Sequence, residues 1–301
     1  MDLRSAILLG LNKVFPFSLQ GDLTLSLGGH EIELSCLINF YGRIDLLSGI
    51  LYSLSEQYLQ RDKFEVILVE DRGGTDEGRA IADKFKELLN IRYFVVTERY
   101  GVLGASRNFG VSMAYGRKIL FLDDDTIILQ RDFLSTLIRE FDVLKRDAVI
   151  PHGGASYSLL RHKYAFHQAY FPTNRCMAYS REVLSELHGF VSSIVGQEDV
   201  EFVIRYIASG RKFYYSPRLR YLHPPLIVDN LNKSTAVGSS FAGLKGRYPL
   251  IVWLAMMVNG ARHLPLLAAP FSQRCKMQGR FSLGFLKGIL YWAKGKKTDY
   301  M

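Results

Sequence analysis

The chain has 301 residues, of which 48% are apolar and 22% charged, and its formal net charge at pH 7 is +9. This composition is ordinary for a globular protein with a sizeable hydrophobic core. The three cysteines, Cys36, Cys176 and Cys275, lie far apart, which excludes a disulfide framework and a cysteine-based metal site and favours a reducing compartment.

The positive charge is concentrated in the last quarter of the chain. Residues 230–301 contain eleven Lys and Arg against one acid, Asp299, so they carry +10 and the remaining residues carry −1. This asymmetry predicts an anionic partner for the last quarter, either a membrane surface or a nucleic acid. The sequence contains no recognisable nucleic-acid-binding module, which favours the membrane surface.

Residues 1–30 form an N-terminal segment before the first predicted strand. Its start has a short apolar run broken by Lys13 and no small-residue cleavage site, so we predict an amphipathic helix on a surface and no secretory signal. Residues 249–271 are also apolar, but polar residues and a proline divide them into pieces about half as long as the roughly 20 residues that span a bilayer. We interpret this stretch as interfacial or buried, not transmembrane.

Apolar strands alternate with amphipathic helices in the first half of the chain. This alternation is typical of βαβ units, so we predict an α/β fold with a mostly parallel sheet and right-handed crossovers. The predicted strands are Glu33–Asn39, Phe64–Val69, Ile91–Val96 and Ile119–Leu122, and the predicted helices are Ile44–Tyr58, Asp76–Leu89 with Asp76 as its N-cap, and Ala105–Tyr115.

Polar clusters follow three of these strands, at Asn39–Tyr41, at Glu70 and Asp71, and at Asp123–Asp125. Ligands bind at the carboxyl ends of the strands in such sheets, so we expect the clusters to meet at one edge. The first and third aspartates of the triplet face the same side of an extended chain, and this pair suits a hard divalent cation carrying a diphosphate. A solvated acidic turn that caps the next helix is the alternative interpretation.

The second half of the chain has a less regular pattern. The segment Gly153–Pro172 is rich in His, Tyr and Gly and has no clear period, and the sequence after Pro225 is basic and amphipathic. The predicted helices are Arg131–Lys145, Arg181–Leu187 and Glu198–Ser209, and the predicted strands are Ala148–Pro151 and Arg211–Tyr215.

The order of several motifs resembles that of family 2 glycosyltransferases, which have the GT-A fold. The motifs are LINFYGR (37–43), VEDRGGTD (69–76), LGASRNFGVSMAYG (103–116), FLDDDTI (121–127) and GFVSSIVGQEDVEFVIRY (189–206). The resemblance covers roughly residues 33–224. It implies a GT-A catalytic domain at 31–228, with a nucleotide-binding half at 31–130 and an acceptor-binding half at 131–228, followed by a basic amphipathic helical extension at 229–301.

The resemblance implies a donor site for a nucleotide diphosphate sugar, with UDP or dTDP favoured and GDP possible, and Mg²⁺ or Mn²⁺ as cofactor. Two positions depart from the family pattern, because Gly42 stands where Asn is usual and Glu70 replaces the first Asp of its loop. The implied substrate-binding residues are Asn39, Tyr41, Asp71 at the base, Arg107 near the diphosphate or base, Asp123 at the ribose and Asp124. The implied metal ligands are Asp125 and His223, and Asn108 is expected to brace the site.

The last motif implies the acceptor side of the site. Asp199 would be the general base and Glu198 would orient it or the acceptor, with Glu201 and Arg205 bracing the pair from later helical turns. An acidic pair also complements the dipole at a helix start, which is the alternative explanation. Direct displacement by the acceptor hydroxyl would invert the anomeric centre. The processive motif QxxRW is absent, so we expect one addition per binding event.

The aromatic and aliphatic residues of Phe281–Trp292 lie among Lys287, Lys294, Lys296 and Lys297, a pattern typical of a helix in a membrane interface. A helical arm packed on the catalytic domain or on a second subunit is the alternative. The membrane interpretation favours a lipid-linked or membrane-surface glycan as acceptor and a cytoplasmic protein, peripheral on the inner face of the cell membrane.

Two other functions stay open at this point. A sugar-phosphate nucleotidyltransferase shares the broad fold, but the chain lacks the glycine-rich basic loop that usually follows the first strand of that class. A non-catalytic nucleotide-sugar-binding partner at the membrane would not need a general base, so the Glu198–Asp199 pair argues against it.

Overall fold

The computed structural model describes residues 3–25, 32–155, 173–224, 226, 228–268 and 272–298. Most of the predicted irregular segment, residues 156–172, therefore lies outside the described residues. The strands are β1 (Leu34–Phe40), β2 (Phe64–Glu70), β3 (Ile91–Val95), β4 (Lys118–Asp123), β5 (Ile127–Ile128), β6 (Ala148–Ala155), β7 (Cys176–Ser180) and β8 (Tyr214–His223).

These strands form one mixed sheet in the order β3-β2-β1-β4-β7-β6-β8-β5. The first four strands are parallel to one another, and four of the seven strand pairings in the sheet are parallel. β1, β2 and most of β4 are buried, which explains their continuous apolar sequences. The predicted α/β architecture is therefore confirmed for the nucleotide-binding half, whereas β5 and β7 were not predicted.

Helices cover the sheet and extend beyond it toward the C-terminus. The N-cap prediction at Asp76 is wrong, because the hydroxyl of Thr75 accepts a hydrogen bond from the Gly78 amide at 2.9 Å and is the cap. The helices are α1 (Leu3–Val14), α2 (Ile44–Ser55), α3 (Asp76–Phe85), α4 (Leu103–Met113), α5 (Phe133–Leu144), α6 (Arg181–Glu186), α7 (Glu198–Ala208), α8 (Asn232–Ala242), α9 (Leu250–Ala261) and α10 (Gln273–Ala293).

The strand register brings the polar clusters together, as predicted. Asn39 on β1 lies opposite Asp123 on β4, and Phe40 lies opposite Glu70 on β2. The Asp71 amide then donates to the Phe40 carbonyl at 3.0 Å, so the loop after β2 begins beside the end of β1. The carboxyl ends of three neighbouring strands thus form one edge.

The C-terminal helices pack on the catalytic half of the chain. A buried cluster joins Val200 and Ile204 of α7 to Phe241 of α8, Trp253 of α9 and Phe285 of α10. Phe285 was predicted to belong to a membrane-facing pattern, but it is fully buried, because α10 lies against α8. The alternative of an arm packed on the catalytic domain therefore describes this part of α10.

Glycines allow α8 and α10 to approach closely. A Cβ at position 288 of α10 would lie 2.1 Å from the Thr235 carbonyl oxygen and 2.6 Å from the Ser239 amide nitrogen on α8. Both obstructing atoms belong to the backbone of a helix, so they cannot move aside unless the two helices separate.

Gly288→Ala should therefore destabilise the protein. We expect the free energy of unfolding, measured by urea denaturation, to fall by about 1–3 kcal/mol, the usual cost of overpacking. Gly49→Ala on α2 is the matched control, because no atom lies within 4 Å of its added Cβ. Alanine favours a helix, so this control should be neutral or stabilising. Equal losses in both variants would contradict the close helix contact.

Candidate active site

Three side chains that could ligate a metal meet where β4 and β8 end. Asp123, Asp125 and His223 each offer one ligand atom, and these atoms lie within 4.8 Å of one another. His223 Nε2 lies 3.3 Å from Asp123 Oδ2 and 3.0 Å from Asp125 Oδ1. The predicted alternation along the triplet is confirmed, since its first and third carboxylates share one side.

The second nitrogen of His223 sets the direction of the ring. Nδ1 lies 2.6 Å from the Pro224 carbonyl oxygen, so it donates there and Nε2 is left facing the carboxylates. Although burial alone would lower the pKa of His223, its hydrogen bonds with Asp123 and Asp125 raise the pKa to about 9. Without a metal ion, this imidazolium partly balances the two carboxylates.

The donor atoms of this cluster fit a hard divalent cation. Two carboxylates and one imidazole nitrogen are ligands that Mn²⁺ and Mg²⁺ accept, and the described cluster contains no thiolate. Asp125 Oδ1 is buried, and His223 Nε2 lies 3.0 Å from it. A cation held by both groups would compensate the desolvation of that oxygen in place of the imidazolium proton.

Asp124 lies on the other side of the triplet, paired with Arg43. The Arg43 guanidinium contacts both oxygens of Asp124, and its Nη1 lies 2.7 Å from Asp125 Oδ2. Arg43 has φ of 51°, a left-handed conformation that non-glycine residues adopt at a cost, at the start of α2. Burial and the neighbouring aspartates raise the pKa of Asp124 to about 7, although Arg43 opposes that rise.

Arg107 connects the metal-binding cluster to the acidic pair. Its buried guanidinium places Nη2 3.2 Å from Asp123 Oδ1 and Nε 3.0 Å from Glu198 Oε1. Burial alone would lower the pKa of Arg107, but these carboxylates raise it, so the side chain stays charged. The charged Arg107 side chain thus lies between the residues predicted to bind the sugar donor and those predicted to bind the acceptor.

Glu198 and Asp199 open α7 inside the protein. Both oxygens of Glu198 lack an aligned hydrogen-bond partner among the described residues. Asp199 is more constrained, because Oδ2 accepts from the Asn174 amide at 2.9 Å and Oδ1 accepts from the Val200 amide at 2.8 Å. Burial raises the pKa of Asp199, and it raises the pKa of Glu198 to about 7 against the opposing charge of Arg107.

The remaining predicted residues line or support the same edge of the sheet. Asn39 donates to Ser106 Oγ at 2.6 Å, next to Arg107 on α4. Asp71 accepts from the amides of Arg72 and Gly101, at 2.9 and 2.7 Å, and so holds the loops after β2 and β3 together. Tyr41 is exposed, with the Arg72 guanidinium 5.1 Å from its ring centroid.

Asn108, Glu201 and Arg205 brace the site indirectly. Asn108 makes two hydrogen bonds with the backbone of Phe190, in the loop that leads to α7. Arg205 pairs with Glu201 at 2.7 Å and donates to the carbonyls of Leu19, Leu187 and Gly189, so it fixes α7 and its approach loop without touching the acidic pair.

Two residues of this geometry were not identified from the sequence. Arg43 was only part of a quoted motif, and its contact with Asp124 spans 81 positions of the chain. Asn174 acts through its backbone amide, which any residue but proline could supply, so its side chain gives no signal.

A model of the family described as "Glycosyl transferase family 2" matches residues 35–195, more than half of the chain. The chain belongs to glycosyl transferase family 2. The match includes the aspartate triplet and ends just before Glu198. The family predicted from motif order is therefore confirmed.

Bacterial relatives resemble about a third of the chain. Poly(ribitol-phosphate) beta-glucosyltransferase of Bacillus spizizenii is 34% identical over 98 residues, which is 32% of this chain and 15% of that protein. Poly(ribitol-phosphate) beta-N-acetylglucosaminyltransferase TarS of Staphylococcus aureus is 29% identical over 97 residues, 32% of this chain and 17% of that protein. The matched region thus spans less than a fifth of either relative.

Solved structures match nearly the whole chain. Mannosyltransferase PcManGT from Pyrobaculum calidifontis, in complex with GDP-Man and Mn²⁺, has a TM-score of 0.60 at 16% identity, covering 98% of this chain and 94% of that one. S. aureus TarS 1–349 in complex with UDP-GlcNAc has a TM-score of 0.55 at 14% identity, covering 88% and 93%. These likenesses confirm the GT-A fold.

Arg43→Gln should strengthen metal binding in the absence of nucleotide. The substitution removes a cation that competes for Asp125, and one unit charge at such short range changes binding by about tenfold. We expect the calorimetric Kd for Mn²⁺ to fall by that factor. Arg131→Gln is the control, because the exposed Arg131 pairs with Glu56 and not with the cluster. An unchanged Kd in Arg43→Gln would show that Arg43 does not compete.

Glu198→Gln should gain stability relative to the wild type as pH rises. The pKa of Glu198 lies near 7 in the folded protein against 4.5 ordinarily. Between these values the folded state keeps a proton that the unfolded state has lost, so wild-type stability falls with rising pH. Glutamine does not titrate, so in urea denaturation at about pH 5 and pH 8 the free energy of unfolding of the variant, relative to that of the wild type, should be higher at pH 8. A difference independent of pH would contradict the raised pKa.

Proposed function

We propose that this protein is an inverting, metal-dependent glycosyltransferase that moves a sugar from a nucleotide diphosphate to an acceptor hydroxyl. The observation that carries this proposal is Arg107, which lies 3.2 Å from Asp123 and 3.0 Å from Glu198. A residue so placed joins a donor site to an acidic pair, and a transferase needs both groups at one reaction centre.

On the donor side, Asn39, Tyr41, Asp71 and Asp123 would hold the nucleotide at the edge formed by β1, β2 and β4. Asp125 and His223 would hold Mg²⁺ or Mn²⁺, which supplies Lewis-acid stabilisation of the departing diphosphate. Arg107 would stabilise the same developing charge, since its guanidinium is fixed and shielded from water. Structural neighbours bind GDP-Man or UDP-GlcNAc, so UDP, dTDP and GDP are all donors to test.

On the acceptor side, Asp199 would be the general base. Backbone amides fix both of its oxygens, and burial raises its pKa toward the range in which a carboxylate accepts a proton effectively. The acceptor hydroxyl would pass its proton to Asp199 as its oxygen bonds to the anomeric carbon. The bond from that carbon to the diphosphate oxygen breaks, and the electron pair leaves with the diphosphate. This single displacement inverts the anomeric centre.

We further propose that the acceptor is a lipid-linked or membrane-surface glycan and that the protein works at the cytoplasmic face of the cell membrane. The support is the net charge of +10 on residues 230–301, which favours an anionic surface. Two relatives that match about a third of the chain are named for poly(ribitol-phosphate), an anionic polymer. A single sugar would be added per binding event.

Asp199→Asn and Asp125→Ala should separate base catalysis from donor binding. Calorimetric titration with UDP, dTDP and GDP, each with and without Mn²⁺, first identifies the nucleotide that the wild type binds. We expect Asp125→Ala to lose the metal-dependent part of that binding. Asp199→Asn should keep it but lose transfer of the matching sugar by about 100-fold to 10,000-fold, the usual contribution of a general base.

Each contrary outcome of this experiment points elsewhere. Full transfer by Asp199→Asn would remove Asp199 as the base. Metal-dependent nucleotide binding without transfer in the wild type would favour a non-catalytic nucleotide-sugar-binding partner. Transfer of a nucleotidyl group from a nucleoside triphosphate would favour a sugar-phosphate nucleotidyltransferase.

A further inference from the structure

The outward face of α9 is apolar at every exposed position. α9 contains no charged residue, and its sequence is LIVWLAMMVNGA. Its five exposed residues follow one another at intervals of one or three positions, so they fall on one arc of a helix of 3.6 residues per turn. We call this arc the α9 outer face, and its residues are Leu250 (60% exposed), Ile251 (47%), Leu254 (47%), Val258 (67%) and Ala255, which is also exposed.

The opposite face of α9 fixes the helix to the protein. Trp253, Met256 and Met257 are buried in the cluster shared with α7, α8 and α10. The Trp253 indole Nε1 donates to the Ala242 carbonyl at 3.1 Å, at the end of α8. A helix apolar on both faces needs a second apolar environment. Among the residues that the structure describes, only the face with Trp253, Met256 and Met257 is covered by protein.

The stretch is as hydrophobic as a membrane span but is not buried like a core helix. Residues Leu250–Leu267, 18 residues, are long and apolar enough to cross a membrane by length and composition alone, and only 28% of the stretch is buried. α9 has 12 residues, so it is about 18 Å long, shorter than the roughly 30 Å hydrocarbon core of a bilayer. The length of α9 therefore suits a helix that lies along a membrane interface.

The charges around the α9 outer face indicate which surface covers it. Residues 230–298 contain eleven Lys and Arg and no Asp or Glu, and Asp22 in the N-terminal segment pairs with one of them, Arg247. A second copy of the chain, packed symmetrically on this face, would bring like charges together, whereas anionic lipid headgroups would neutralise them. The exposed basic residues among the described part of residues 230–298 are Lys233, Lys245, Arg262, Arg274, Lys276, Lys287, Lys294, Lys296 and Lys297.

We propose that the α9 outer face docks on an anionic lipid bilayer, with α9 lying in the headgroup region and the basic residues on the lipid phosphates. Phe285 of the aromatic pattern of α10 is buried, whereas Leu290 and Trp292 stay exposed, so the inference adds α9 to the contact predicted from α10. The docking proposal rests on the proposed function only where it takes the acceptor to be a lipid-linked or membrane-surface glycan. The buried cluster joins α9 to α7, so docking would hold the helix that carries Asp199 close to the lipid surface.

Vesicle co-sedimentation tests the docking surface without any turnover. The full chain is mixed with vesicles of phosphatidylcholine alone or of phosphatidylcholine with phosphatidylglycerol. We expect binding to the mixed vesicles that weakens as salt is raised, because salt screens the basic residues. Leu254→Gln combined with Val258→Gln should lower the partition coefficient at least about tenfold, since two apolar side chains no longer enter the interface.

Val143→Gln is the matched control, because Val143 is 70% exposed on α5, away from the C-terminal helices. It should bind vesicles like the wild type, and urea denaturation should show all variants folded. Three results would overturn the proposal: no binding of the wild type to either vesicle, equal binding by the double variant, or self-association of the wild type that the double variant abolishes. Metal-dependent nucleotide binding, measured on the same samples, tests the transferase proposal separately.

Discussion

The arrangement of the candidate active site depends on one buried charged side chain, that of Arg107. The Arg107 guanidinium is almost fully buried between Asp123 and Glu198, and such a charge is tolerated only because both partners are in place. Asp123 ends a parallel strand, whereas Glu198 begins a helix 75 residues later. Loss of either carboxylate would leave a charge in the interior with a single partner, which typically costs several kcal/mol. The same ion pairs that hold the two halves together thus set the distance between donor and acceptor groups.

A second buried ion pair, on α7, fixes that helix to parts of the chain outside the active site. Arg205 and Glu201 are fully buried on α7, and the hydroxyl of Tyr248, just before α9, contacts Glu201. Arg205 also binds the Leu19 carbonyl in the N-terminal segment. Both ends of the chain therefore contribute to the position of the helix that carries Asp199. The predicted division into an N-terminal segment, a catalytic domain and an extension describes the sequence, but in the fold the three parts share α7.

Local patterns predicted the parts of this molecule that depend on neighbours in sequence. The buried strands β1, β2 and β4 follow from apolar runs, and the alternation of Asp123 and Asp125 follows from strand geometry. Contacts between distant positions were not predictable in this way, because Arg43 meets Asp124 only through a left-handed turn and the pairing of β1 with β4. β7 was missed because its antiparallel pairing with β4 depends on chain connections that a single sequence does not reveal.

Composition predicted an anionic partner for the C-terminal residues, which stays a prediction, but the apolar pattern of α10 did not reveal that Phe285 is covered by protein. An apolar pattern indicates that a face avoids water, but it does not distinguish protein from lipid as its cover. For α10 the structure shows protein, because Gly284 and Gly288 let it approach α8 until Phe285 is buried. α9 offers two apolar faces, and the fold uses only the one with Trp253. α10 thus attaches the extension to the catalytic half, whereas α9 has an exposed apolar face, for which we propose a partner outside the chain.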